Sequence, residues 1–190
     1  VGATMAALAA SGVGEGDRVA LLAGNSIEHV AVWFATSLLG ATDAPVMRRT
    51  CEVLDELGIG WEMKICSAHR TPQRAHDYAT TAADRGLKVL IAAAGMSAHL
   101  AGVMAALTHL PVLGVPMEGK LAGGLDALLS TVNMPRGVPV GTMSLGNHGA
   151  INAALFATAI LAVSDTDIEK KLKAYRRKQT ESVPEQPPAD

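Results

Sequence analysis

Two short stretches hold side chains of the kinds that do chemistry in water. In "KICSAHRTPQRAHDY", Lys64 to Tyr78, His69 stands between Ala68 and Arg70, behind Ser67 and ahead of Thr71-Pro72. Further on, His99 follows Gly95-Met96-Ser97-Ala98. Imidazole is the side chain whose ordinary titration falls near neutral pH, so it can give and take protons. Guanidinium is a planar fork of donors that matches phosphate or carboxylate. The Ser67 hydroxyl and the amides of "AGMSA" add neutral donors, and Gly95 lets the backbone approach a ligand closely. Together they suit proton transfer on a phosphorylated ligand.

The same residue types have other uses. Two histidines could help hold a metal, but a metal wants a third ligand, and the chain has no HxH, HxxxH or CxxC. No metal site is expected. His29, His76, His109 and His148 fall in the first segment, a helix, a turn and near a helix start, where surface or structural roles fit them best. Cys51 and Cys66 lack redox or metal spacing and read as buried thiols in a reducing, cytoplasmic compartment.

Elements must bring the two clusters together. From Asp43 onward, Val46, Met47, Thr50, Val53, Leu54 and Leu57 make a helical stripe that stops at Gly58. Trp61 to Cys66 reads as a strand. Thr71 can cap the next helix with Pro72 at its first position. "LKVLIAA", Leu87 to Ala93, is a nearly continuous apolar strand of the kind buried on both faces in a parallel sheet. Ser97 to Leu107 reads as a helix, Pro111 to Val115 as a strand, Leu125 to Ser130 as a short helix, and Val138 to Met143 as a strand. Asn147 to Val163 and Asp167 to Thr180 read as helices, the second charged and largely solvated. Strands alternating with helices predict a three-layer, doubly wound parallel α/β sheet with a C-terminal helix. Such sheets bind ligands beyond the carboxyl ends of their strands, where neighbouring strands would carry His69 and His99 into one cleft.

Composition narrows the classes. The chain has 190 residues, enough for one domain with a full core. Charged residues are 18% against roughly 25% in an average protein, and aromatics are only 3%. Small apolar side chains with few charges suggest close packing and a homo-oligomer. A net charge of −2 gives no footprint for nucleic acid. Val89 to Met117 lacks any charged residue, but its glycines, prolines and histidines argue against a membrane span. No basic segment precedes an apolar core at the N-terminus, so no secretory signal is expected.

Several motifs in order and spacing resemble one family. "SAHRTP", "AAAGMSAHLAG", "LPVLGVP", "GLDALLSTVNMPRGVPVGT" and "GNHGAINAALFA" resemble N5-carboxyaminoimidazole ribonucleotide mutase of purine biosynthesis. The likeness covers residues 42–183, leaving 184–190 as a disordered Pro-rich tail. It implies a flavodoxin-like subunit, a homo-octamer, no cofactor and a small phosphoribosyl aminoimidazole as ligand. The reaction implied moves a carboxyl group from the exocyclic nitrogen to a ring carbon. By the same resemblance His69 is the general acid/base, and Ser67, Ala68 and Arg70 contact substrate, the arginine near its phosphate. Ala94, Gly95, Met96, Ser97, His99 and Leu100 would line the pocket where carbon dioxide is released and recaptured. A direct carboxylase of the same fold, or a catalytically dead nucleotide-binding subunit, are the alternatives.

The chain departs from the family pattern upstream. Counting back from "DAPVM" sets Asp43 and Gly40 at substrate-binding positions of the family's Gly-Ser-x-Ser-Asp motif, with Thr42 at its second serine. Residues 1–41 form a separate segment, and "MAALAASGVGEGDRVALLAGNSIEHVAVWFATSLLGA" resembles an N-terminal piece of an adenylate-forming acyl ligase. The family's first strand is central in its sheet, so something must replace it. The reading favoured here has Val19–Ala23 fill the slot and Ile27–Leu38 form an extra helix. The rival has Trp33–Leu39 extended in the slot instead.

Overall fold

The computed structural model describes residues 29–34 and 43–185. The elements run β1 (His29–Phe34), α1 (Asp43–Glu56), β2 (Gly60–Ile65), α2 (Pro72–Thr81), β3 (Leu87–Ala94), α3 (Leu100–Leu107), β4 (Val112–Pro116), α4 (Leu125–Val132), β5 (Gly141–Thr142), α5 (Gly146–Ala162) and α6 (Thr166–Glu181). The five strands are parallel and lie in the order β2-β1-β3-β4-β5. The order reverses at β1, which places a crevice beyond the carboxyl ends of the strands there.

The two faces of β3 explain the layers. Val89, Ile91 and Ala93 pack with Met47 and Leu54 of α1, the alanines of α5 and Ile168 of α6. Leu90, Ala92 and Ala94 pack with Ala75 and Tyr78 of α2 and Leu100 and Met104 of α3. A strand buried on both faces needs an apolar residue at every inward position, which is why its run is continuous. The packing is close because the helices bury small residues: Ala150, Ala153, Ala154 and Ala157 of α5 are all fully buried. Thr50 of α1 sits against them and donates its hydroxyl to the Ala150 carbonyl at 2.9 Å. Gly58, at φ +67°, ends α1 in the left-handed conformation that glycine adopts without cost.

Several expectations fail in instructive ways. The helix expected over Ile27–Leu38 is overturned by its described part: His29–Phe34 is a strand, and it occupies the central slot between β2 and β3. The slot offers two ladders of backbone partners, which outweighs the helical spacing of the apolar residues. The rival reading shares only Trp33 and Phe34 with the strand, and Val19–Ala23 lies outside the described residues. Helix α3 starts at Leu100 rather than Ser97: Met96 takes a positive φ of 57°, and Ser97 to His99 form a tight turn in which the His99 N–H donates to the Ser97 carbonyl at 2.8 Å. The strand expected over Val138–Met143 shrinks to Gly141–Thr142. It lies at the sheet's edge, and Pro139 cannot donate to a ladder. Among the described residues no helix is long and apolar enough to cross a membrane; Val89–Met117 divides into β3, a loop, α3 and β4.

Candidate active site

Each of the two clusters occupies a turn at the carboxyl edge. After β2, the buried Cys66 ends the strand, and the chain turns through Ser67–Arg70 into α2. Thr71 closes that turn. Its hydroxyl accepts the Ser67 N–H at 2.8 Å and faces the Ser67 carbonyl at 3.1 Å, which also accepts the Thr71 N–H at 2.9 Å. Thr71 does stand at the N-terminal boundary of α2, but its side chain makes no cap bond; the Ser67 backbone has claimed it. The Arg70 N–H donates to the Ser67 hydroxyl at 3.2 Å, leaving that hydroxyl's own proton for a ligand. Arg74, one turn into α2, donates to the Ile65 carbonyl at 3.1 Å. These bonds fix the backbone that carries His69 and Arg70, while both side chains stay exposed.

After β3, Gly95–His99 form an irregular loop. It is anchored by Ala98, only 1% exposed, and by the Met117 N–H donating to the Ala94 carbonyl at 3.0 Å. His99 then opens α3, and its carbonyl accepts from Val103 at 3.0 Å.

The expectation that neighbouring strands carry the two clusters fails, because β1 lies between β2 and β3. The rings nonetheless meet over its end. Nε2 of His69 is 2.9 Å from Nδ1 of His99, with centroids 5.0 Å apart and the planes nearly perpendicular at 81°. One nitrogen donates and the other accepts, so the pair shares a proton and leaves Nδ1 of His69 and Nε2 of His99 for other partners.

A cavity of about 300 Å³ lies beside the pair. Ser67, Ala68, His69, Arg70, Ala94, Gly95, Met96, Ser97, His99 and Leu100, all named from the sequence, line it. Of the remaining candidates, Gly40 lies outside the described residues, and Asp43 opens α1. Sequence reasoning did not find the bracing role of Thr71 or the position of Arg74; a threonine before a proline signals a cap, and nothing local says that its hydroxyl turns back. His99 also borders a second, mainly apolar groove of about 620 Å³ between α3 and α4. Among the described residues no group of three histidines, cysteines or acids is placed to hold a metal ion.

Parallel strands in this order, with two imidazoles and a guanidinium lining a cavity at the reversal of strand order, define an α/β protein of flavodoxin-like topology. The family described as AIR carboxylase matches residues 36–182, and the chain belongs to it. Its relatives include proteins named N5-carboxyaminoimidazole ribonucleotide mutase. The one from Vibrio cholerae is 48% identical over 146 residues, covering 77% of this chain and 91% of that one. The one from Bacillus subtilis is 49% identical over 147 residues, with coverage of 77% and 91%. The one from Pyrococcus abyssi is 53% identical over 135 residues, with coverage of 71% and 76%. Among solved structures, Treponema denticola PurE superposes with a TM-score of 0.72 at 22% identity, covering 81% of this chain and 93% of that one; this likeness supports the fold.

Proposed function

We propose that the chain is an N5-carboxyaminoimidazole ribonucleotide mutase of purine biosynthesis. It would move a carboxyl group from the exocyclic nitrogen to a ring carbon of 5-aminoimidazole ribonucleotide. The observation that carries this reading is the His69–His99 contact beside Arg70, in a cavity at the carboxyl edge. The names of relatives at about half identity support it.

The chemistry uses one proton twice. Protonated His69 delivers its proton to the carbamate nitrogen, the N–C bond breaks, and carbon dioxide leaves with the amine neutral. The ring carbon then attacks the gas, forming a C–C bond, and the proton on that carbon passes back to His69. Nothing is gained or lost overall. A positioned acid/base of this kind typically contributes ~10²–10⁴ in rate. Arg70 meets the phosphate and Ser67 donates to a ligand oxygen. The direct carboxylase, taking free carbon dioxide, has the family's description in its favour; assays with the carbamate and with the free aminoimidazole plus bicarbonate separate the two.

The reading is tested by His69→Asn. The variant should fold as the parent does and lose mutase turnover by at least about 10²-fold. Near-normal turnover would end the assignment.

The chain is further taken to be a cytoplasmic homo-oligomer, an octamer by the resemblance. Two free, buried thiols suit a reducing compartment. Leu125, Leu129 and Val132 expose one apolar face of α4, with Leu121 just before it. Sedimentation at micromolar concentration would show a monomer if the oligomer is wrong.

A further inference from the structure

Thr71 has the place of a helix cap and a different use. It precedes Pro72, the first residue of α2, where a threonine hydroxyl ordinarily accepts an N–H from the first turn of the helix. It makes no such bond. Both capacities of the hydroxyl go to one residue four positions back. It accepts the Ser67 N–H at 2.8 Å and donates to the Ser67 carbonyl at 3.1 Å. A cap forgone is stability forgone; what the chain gains is the shape of the turn.

These two bonds, with the Thr71 N–H donated to the same carbonyl at 2.9 Å, close the stretch from Ser67 to Thr71 into a ring with His69 at its middle. Arg74 ties that ring to the sheet through the carbonyl of Ile65, the last residue of β2. Ser67, His69 and Arg70 line the cavity, and Thr71 does not. Its effect on a ligand therefore passes through its neighbours. The contact this shape serves is the one between Nε2 of His69 and Nδ1 of His99, 2.9 Å apart. His69 is exposed on its turn and must meet a ring carried by another loop. A backbone shift of about 1 Å would take the two nitrogens out of hydrogen-bond range.

We propose that Thr71 is a positioning residue for the carboxyl transfer: its hydroxyl holds the Ser67 peptide, and the turn so held sets His69 against His99 and presents the Ser67 hydroxyl to the ligand. The effect on turnover rests on the mutase reading, and the effect on the two rings rests on the geometry alone. Thr71→Val keeps the shape of the side chain and leaves the Ser67 N–H without its acceptor. Thr71→Ser keeps the hydroxyl and loses only a methyl group.

The test compares these two variants in the full chain, each assayed well below its melting temperature. Turnover of the carbamate should fall by about 10–100-fold in Thr71→Val and stay within about threefold of the parent in Thr71→Ser. The ring nitrogen signals of His69 and His99 should both shift in Thr71→Val, although the Thr71 hydroxyl bonds to neither ring, and should keep their parental positions in Thr71→Ser. Loss of packing alone would lower the melting temperature without moving those signals. A third measurement needs no variant. In the parent chain the Ser67 N–H should exchange with solvent at least about tenfold more slowly than the His69 N–H, for which the turn supplies no acceptor. Parental turnover or parental ring signals in Thr71→Val overturn the proposal. So does a Thr71→Ser variant as slow as Thr71→Val, or fast exchange at Ser67. A parent chain that makes no carboxylated product overturns the mutase reading, and the ring signals and the exchange rate then decide the brace by themselves.

Discussion

His69 and His99 sit on strands that do not touch, yet Nε2 of the first lies 2.9 Å from Nδ1 of the second. Two imidazoles so placed hold one another's tautomer: whichever nitrogen carries the shared proton, the far nitrogen of each ring is assigned by default. His99 is in this sense a positioning residue for His69.

Replacing His99 by Phe keeps a ring but removes the hydrogen-bonding partner of His69. Under the proposed mechanism the turnover number should fall by up to about 10²-fold while KM moves little, because the orientation of His69 is lost and Arg70 is untouched. Both rings are exposed, so thermal stability should not change. The distinguishing signal is the ring nitrogen spectrum of His69, which should shift toward a tautomer mixture in the variant. An unchanged spectrum would mean that His99 does not set the proton.

Acid stability should depend on Glu62, at the edge strand β2. Burial pushes this carboxyl upward, but hydrogen bonds from Tyr78 and Arg85, together with the Arg85 charge, outweigh that and hold it below the ordinary range. Arg85 donates to it at 2.7 Å and also covers the Tyr78 ring at 4.2 Å. A depressed carboxyl stabilises the fold above the ordinary glutamate value and loses that contribution as pH falls through the folded one. Melting temperature should therefore decline on the acid side below about pH 4.5. Glu62→Gln should flatten that decline, and an equally steep one would count against the cluster.

The thiols should be inert while the chain is folded. Burial pushes Cys66 up to about 12, with the Arg74 charge opposing. Cys51 is likewise pushed up to about 12 by burial, with the Asp55 charge adding to it. The thiolate is the reactive form, so alkylation at pH 8 should be far slower than for an ordinary cysteine near 8.5. Both should label at once in denaturant. Rapid labelling of Cys66 in the native state would show that the turn beside Ser67 opens.

Gly149 is where the packing of α5 has no slack. A Cβ there would stand 1.8 Å from the Ser144 carbonyl oxygen. Gly149→Ala should cost about 3 kcal/mol or more, visible as a lowered melting temperature or loss of soluble protein. Thr50→Val, which removes the hydroxyl's bond to the Ala150 carbonyl while that carbonyl keeps its place in the α5 ladder, should cost about 0.5–1.5 kcal/mol.

The parts of the fold that could be read from the sequence are those whose signal is local. "LKVLIAAA" can hardly be anything except a buried strand, and Thr71-Pro72 marks the start of α2 wherever its hydroxyl points. Alternation of strands and helices then sends "SAHR" and "GMSAH" to the same edge, so the meeting of the two clusters was legible in the chain itself. The first strand was not. His29–Phe34 has apolar spacing that fits a helix, and only the vacancy between β2 and β3 selects the extended form. The start of α3 was misread for a related reason, since a left-handed methionine leaves no mark in composition. The contact between the two rings follows from strand order, which the sequence does not state.

The interposed strand has a consequence for how such a pair is built. Adjacent parallel strands stand roughly 4.8 Å apart, so β2 and β3 are about 10 Å apart across β1, a gap that two imidazole side chains reaching inward can just bridge. β1 thus works as a gauge block whose backbone thickness sets the span between the two rings. A thickness of that kind is the same for any hexapeptide able to lie extended there, so the donor of the middle strand is exchangeable in a way that the donors of the two turns are not.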